Sequence, residues 1–175
     1  MTISNNIAVR PATDSDLELL VRFQIAMASE SEDKGLDENT LRHGIATALS
    51  SDDLALYIVA EIAGEPVGTL MLTWEWSDWR NGRFWWIQSV YVSPEYRRQG
   101  VYKALYYYVA EGARQQGDVC GLRLYVDKDN SIAQGVYSGL QMRPTNYDMY
   151  EIDFNSSPVV QMEVKPEEVE ENATG

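Results

Sequence analysis

Val90-Tyr91-Val92-Ser93-Pro94-Glu95-Tyr96-Arg97-Arg98-Gln99-Gly100-Val101-Tyr102 joins an apolar run to a helical pattern through a basic loop. Upstream, residues 84–92 are apolar at odd and even positions alike, as expected of a central strand covered on both faces. Downstream, Val101, Ala104, Leu105, Tyr108 and Val109 trace one face of a helix. The junction therefore runs from a buried strand into a helix start, where leading N–H groups and the positive end of the helix dipole favour an anion. Gly100 lets the backbone approach a ligand closely. Arg97, Arg98 and Lys103 gather positive charge here, in a chain whose formal net charge is −13. That local reversal of sign suits either a phosphate site or a solvated basic loop. The loop matches neither G-x-x-x-x-G-K-[ST] nor G-x-G-x-x-G, so neither a P-loop NTPase nor a dinucleotide enzyme is indicated.

Working outward, Ile7-Ala8-Val9-Arg10 reads as a first strand ended by Pro11. Thr13 offers an N-cap with Asp14 and Asp16 in the first turn, and Leu17, Leu20, Val21, Ile25 and Ala28 follow at helical spacing. A polar loop spans residues 30–35, and Leu41, Ile45, Ala48 and Leu49 mark a second helix. Residues 54–61 and 67–74 form a hairpin about the turn Ala63-Gly64-Glu65-Pro66. Residues 75–81 read as a polar, Trp-bearing connection closed by the turn signal Asn81-Gly82. Gly117 fits a helix stop. A fifth strand is expected at 122–126, a short helix at 131–140 and a final strand at 149–154. This order predicts a mixed α/β layer rather than a helix bundle. The expected domain covers residues 1–154; residues 155–175, rich in Glu and Pro, read as an acidic flexible tail in which Val159-Val160 offers an edge strand.

The 175 residues suffice for one domain with a sizeable core. No apolar run approaches the roughly 20 residues that cross a bilayer, and the N-terminus lacks the pattern of a secretory signal, so no membrane partner is expected. A lone cysteine, Cys120, cannot form an internal disulfide and fits a reducing cytoplasm. One cysteine and one histidine argue against structural zinc, and no metal is expected. The acidic balance points away from nucleic acid; it suits solubility and also a cationic substrate.

Three blocks in this order resemble the GNAT acyltransferases. Val9-Arg10-Pro11-Ala12-Thr13-Asp14 with Asp16-Leu17 looks like their opening strand and helix. The stretch from Val90 to Val101 looks like their cofactor segment, [RQ]-x-x-G-x-[GA]. Leu124-Tyr125-Val126 with Asn130, Ala133, Tyr137 and Gly139-Leu140-Gln141-Met142 resembles their next strand and helix. The resemblance implies an α/β (α+β) GNAT fold, with a mixed, mostly antiparallel central sheet flanked by helices on both faces. It implies acetyl-CoA as donor, its pantetheine arm on the backbone of Val90, Tyr91 and Val92. Its pyrophosphate would meet the loop of Arg97, Arg98, Gln99, Gly100, Val101 and Tyr102, with Lys103 close by. Tyr102 departs from the family's usual Gly or Ala, which should alter packing beside the pyrophosphate without removing backbone donors.

Acyl transfer from a thioester to an amine needs a neutral amine, stabilisation of an oxyanion and a proton for the departing thiolate. Tyr137 resembles the family's general acid, and a phenol of pKa about 10 suits that leaving group. Asn130 resembles the polar contact to the cofactor; it lies seven residues before Tyr137, about two helical turns. Helix capping and packing are the structural alternatives for the pair. Many relatives carry Glu where this chain has Gln88, whose amide cannot accept a proton at neutral pH but can hold a water or the substrate. Glu75, Asp78, Glu30, Glu32 and Asp33 remain as carboxylates that act through water, bind an ammonium or are simply solvated side chains. His43 reads as a surface residue. Trp74, Trp76, Trp79, Trp85 and Trp86 offer either core packing and a homodimer contact or an aromatic wall for an amine.

The expected function is N-acetyl transfer to a primary amine of a small cationic molecule, with Gln88, Glu32, Glu75 and Trp76 as substrate residues. No cysteine stands in a matched catalytic position, so direct transfer in a ternary complex is expected. A protein or peptide N-acetyltransferase and a non-catalytic acyl-CoA-binding module are the alternatives.

Overall fold

The computed structural model describes residues 6–31 and 35–154. Its elements run β1 (Ile7–Pro11), α1 (Leu17–Ser31), α2 (Glu38–Leu49), β2 (Leu56–Ile62), β3 (Glu65–Ser77), β4 (Gly82–Val92), α3 (Val101–Gln115), β5 (Val119–Arg123) and α4 (Ser131–Gly139). The sheet has the order β1-β2-β3-β4-β5; β1 to β4 pair antiparallel, while β4 and β5 pair in parallel. The chain divides into two compact units at Asp127/Lys128, so the sheet with α1 to α3 forms one unit and α4 belongs to the other.

Alternation along β2 explains the layering. Ile58 and Ala60 face one side, where Val101, Leu105, Val109 and Ala113 of α3 cover them. Tyr57 and Val59 face the other, against Leu20 and Val21 of α1 and Ile45 of α2. The helix stripes read from the sequence thus pack on the sheet, except that Tyr108 of α3 is exposed, and helices cover both faces as expected. The two turns also follow the sequence. Ala63 and Gly64 both adopt left-handed backbone (φ 54° and 83°), which a two-residue hairpin requires, and Asn81 (φ 45°) leads into β4. At Gly82 a Cβ would lie 2.8 Å from the Asp118 carbonyl oxygen, so β4 starts where only glycine fits without displacement.

Three expectations change. β3 continues through Glu75, Trp76 and Ser77, paired with Phe84, Arg83 and Gly82; alternation persists there, although polar composition reads as a loop. β5 lies earlier, because its register pairs Val119, Gly121, Leu122 and Arg123 with β4 and stops at Arg123. Residues 149–154 form no strand. Met149, Tyr150, Ile152 and Phe154 are exposed, since alternation alone supplies a face but no edge to pair with. Val159-Val160 and the acidic stretch 155–175 lie outside the described residues.

A charged knot fixes the entry to α1. Arg10 on β1 donates to both Asp16 oxygens (2.8 and 2.9 Å) and to Glu61 of β2, while Asp16 accepts from the Thr13 backbone N–H in a capping box. Hydrogen bonding from Arg10 holds the buried Asp16 carboxyl below the usual carboxylate range, against the opposing effect of burial. Asp16 therefore binds its proton more weakly folded than unfolded. Its contribution is complete above the unfolded pKa of about 4 and is lost as pH falls through the depressed folded value. Asp16→Asn should cost about 2 kcal/mol at pH 7, less than a fully buried pair because Arg10 is partly exposed. Urea unfolding from pH 7 to pH 3 checks this: wild type should lose its advantage over the variant as the pH falls.

Candidate functional site

The junction is shaped by a bulge. Thr69 pairs with Tyr91 and Met71 with Gln88, so Leu70 of β3 opposes both Ser89 and Val90 of β4. Ser89 takes left-handed backbone, φ 50°. The extra residue shifts the alternation. Trp85 and Ile87 face α3 before the bulge, and Val90 and Val92 do so after it. Tyr91 turns to the opposite face, its ring centroid 5.1 Å from that of Phe23 on α1.

The β4–β5 ladder ends at Trp86 and Arg123. From Ile87 to Val92, β4 has no strand partner on that side among the described residues, so an edge of N–H and C=O groups is left for another extended chain. Below the junction β3 packs tightly: a Cβ on Gly68 would stand 3.0 Å from the Tyr91 carbonyl oxygen and 3.0 Å from Val101 Cγ1.

One turn (Pro94–Tyr96) follows β4, and then Arg98 (φ 64°) and Gly100 (φ 89°) adopt left-handed backbone. Gly100 is the N-cap of α3, with no side chain to occupy the helix start, and its carbonyl accepts the first helical bond from the Ala104 N–H at 2.9 Å. The leading N–H groups of α3 therefore have no carbonyl within the helix to bond. Arg98 and Lys103 are exposed beside them, with Lys103 Nζ 5.6 Å from the Tyr107 ring centroid. The donor set suits a diphosphate: backbone N–H groups, a positive helix end and two exposed cations.

Arg97 has a different place. Its Nε donates to the Val92 carbonyl at 2.9 Å, and its guanidinium pairs with Glu30 of α1. Glu30 also accepts from the Tyr91 hydroxyl at 3.3 Å, so it joins α1 to the loop. Burial and then the nearby Glu30 charge raise the Tyr91 phenol above its ordinary value. Gln99 donates to the Glu95 carbonyl at 2.8 Å. The Tyr102 ring runs along α3 toward Tyr106, with centroids 6.5 Å apart.

On the face that carries α1 and α2, a polar and aromatic cluster spans β3, β4 and the end of β5. Gln88 donates to the Thr73 hydroxyl and accepts from the Tyr125 hydroxyl at 3.3 Å. Glu75 accepts from the Trp86 indole (2.5 Å) and from Arg123 (2.6 Å). The Arg123 guanidinium lies 3.7 Å from the Phe84 ring centroid. Burial pushes the Glu75 carboxyl up, but the bonds from Trp86 and Arg123 outweigh it and hold the carboxyl below its ordinary value. Glu75 is thus an engaged anion with weak basicity. Its neighbour Trp76 projects from the other face and is exposed, so these two substrate candidates cannot line one pocket.

Alternation also divides the tryptophans. Trp74 and Trp85 pack against each other (5.2 Å) on the α3 side, Trp86 joins the polar cluster, and Trp76 and Trp79 are exposed. They form no single wall. Asp78 accepts from the Trp79 N–H in an exposed turn, and His43 is exposed on α2. Glu32 and Asp33 lie outside the described residues.

In the second unit, Asn130 is the N-cap of α4 and accepts from the Ala133 N–H at 3.0 Å. Tyr137 is half-buried, and burial raises its phenol above the ordinary value. The helix closes in a Schellman motif, with Met142 N–H on Tyr137 O (3.1 Å), Gln141 N–H on Ser138 O (3.0 Å) and Gln141 in left-handed backbone.

Sequence reasoning passed over Gln24, Thr73, Arg123 and Tyr125. Gln24 is buried and reaches the Ser89 carbonyl at 3.5 Å. Its signal was legible, a polar residue on the helix stripe of Leu20, Val21 and Ala28. Among the described residues no helix is long and apolar enough to cross a membrane, and no group of three or more His, Cys, Asp or Glu side chains is set to hold a metal.

The profile of the Acetyltransferase (GNAT) family matches residues 20–140. Among solved structures, a possible acetyltransferase from Clostridium difficile 630 is 39% identical, with a TM-score of 0.79 over 84% of this chain and 97% of that one. A GCN5-related N-acetyltransferase from Ralstonia eutropha JMP134 is 24% identical, with a TM-score of 0.66 over 84% of this chain and 99% of that one. AAC(6')-Iy, in complex with the bisubstrate analog CoA-S-monomethyl-acetylneamine, is 17% identical, with a TM-score of 0.68 over 85% of this chain and 98% of that one. No curated protein matches the chain.

Proposed function

The chain belongs to the GNAT acetyltransferase family, and we propose that it transfers an acetyl group from acetyl-CoA to a primary amine of a small cationic molecule, directly and in one ternary complex. The observation that carries this reading is the junction itself: an open β4 edge running into a helix start that is entered through left-handed Arg98 and Gly100. Backbone groups of Val90, Tyr91 and Val92 would hold the amide-bearing arm. The first turn of α3, with Arg98 and Lys103, would hold the pyrophosphate. When bound, acetyl-CoA supplies an activated acetyl thioester.

The chain's own residues supply the rest. Tyr137 Oη donates a proton to the departing sulfur, and its raised pKa keeps that proton in place at neutral pH. The Asn130 amide, whose oxygen caps α4, keeps its N–H groups for the cofactor. Gln88 is no base, so the acceptor reacts from its neutral fraction, and the proton its nitrogen loses restores the Tyr137 phenol. Residues 1–154 make up the catalytic domain in this reading. The lone cysteine supports a cytoplasmic setting, and exposed Trp76 and Trp79 support a homodimer contact.

A cationic acceptor is supported by the net charge of −13. The complex of AAC(6')-Iy with a bisubstrate analog supports simultaneous binding in this fold. The test is CoA-thiol release from acetyl-CoA with polyamines, amino acids, aminoglycoside-like amines and N-terminal peptides. Small cationic amines should exceed peptides in kcat/KM by about tenfold or more. Preference for peptides would reassign the acceptor, and binding of acetyl-CoA with no release by any amine would remove catalysis.

A further inference from the structure

Beyond Trp86 and Arg123, β4 and β5 no longer pair, and a side-chain hydrogen bond from Tyr125 to Gln88 spans the gap. Gln88 lies between two hydroxyls: its Nε2 donates to Thr73 Oγ1, and its Oε1 accepts the Tyr125 hydroxyl. A phenol has one proton and two acceptor lone pairs. With the proton committed to Gln88, the oxygen of Tyr125 is left to accept. Tyr125 is 56% exposed, and its ring centroid lies 6.1 Å from that of Trp86. The Trp86 indole N–H is itself committed to Glu75. An incoming donor with N–H groups therefore meets an aromatic face and one oriented oxygen.

We propose that Tyr125 Oη accepts an N–H of the acceptor amine, and that Gln88 is the positioning residue that turns the phenol proton away from it. The assignment rests on the N-acetyltransferase reading and adds an acceptor-specificity residue to it. It also explains how an amide serves at a position where a carboxylate would act as a base. What the site uses is the direction of the hydrogen bond, not proton uptake.

Steady-state kinetics of the full-length chain test this, with the best amine for the wild type and with acetyl-CoA varied separately. Tyr125→Phe should raise the acceptor KM about tenfold, the worth of one hydrogen bond, and leave the acetyl-CoA KM unchanged. Gln88→Leu should raise the acceptor KM in the same direction. The double variant should be no worse than Tyr125→Phe alone, because Gln88 acts only through the phenol. Gln88→Glu keeps an acceptor oxygen toward Tyr125 and should hold the acceptor KM within about twofold of wild type. An unchanged acceptor KM in Tyr125→Phe, or multiplied losses in the double variant, overturns the proposal and leaves the transferase reading standing. A wild-type protein that releases no CoA with any amine overturns both.

Discussion

Gly100→Asp should raise the dissociation constant for CoA about 100-fold, equivalent to about 2.7 kcal/mol, while leaving the protein folded. A Cβ at Gly100 meets nothing within 4 Å, so the substitution causes no clash inside the protein. Its left-handed backbone (φ 89°) disfavours side chains, Asp less than most. The substitution therefore carries a backbone strain that Gly100→Ala shares, and thermal unfolding measures it. The ligand meets a different situation. The new carboxylate would occupy the helix start through which the leading N–H groups of α3 reach an anion, and it would add negative charge there. Titration calorimetry with CoA, alongside thermal unfolding, separates the effects. Wild-type affinity in a folded variant would sink the loop assignment. Gly100→Ala, with the backbone penalty but no charge, should show a much smaller loss.

Tyr137→Phe should lower kcat about 100-fold with CoA affinity within about twofold of wild type, the lower end of what a general acid contributes. Only the hydroxyl is removed, and the half-buried ring keeps its packing. Because burial raises the phenol above 10.0, any alkaline fall in kcat due to losing this proton should lie above that value. Rapid-mixing measurement of CoA release, with binding followed separately, checks both statements. Unchanged turnover would remove Tyr137 as the acid. Asn130→Ala is a useful contrast: losing the N-cap of α4 should cost about 1 kcal/mol of helix stability whatever happens to the cofactor.

Local chemistry explains which features were legible in the sequence. The stripe of α3 and the turns at Ala63-Gly64 and Asn81-Gly82 follow from periodicity or from backbone preference within a few residues. The missed features depend on pairing between distant segments. Polar residues at 75–77 read as a loop until they are seen opposite Phe84, Arg83 and Gly82. The end of β5 is set by its register with β4, which its own apolar run does not reveal. Residues 149–154 have the alternation of a strand but no paired edge.

The site divides in the same way. The basic loop and its glycine were visible because they are contiguous. The pairing of Arg97 with Glu30 was not, since it spans 67 positions in sequence, and it ties down one of the three cations that the loop presents. Glu75 and Trp76 were grouped as sequence neighbours, yet a strand sends neighbours to opposite faces. Tyr125 and Arg123 acquire their partners only through the geometry of β3, β4 and β5.

The most direct test of the account is a crystal structure of the protein with CoA bound. It should show pyrophosphate oxygens within hydrogen-bonding distance of the first N–H groups of α3 after Gly100, and pantetheine amides paired with β4 at Val90 to Val92. Pyrophosphate bound away from Gly100, with the β4 edge left unengaged, would contradict it.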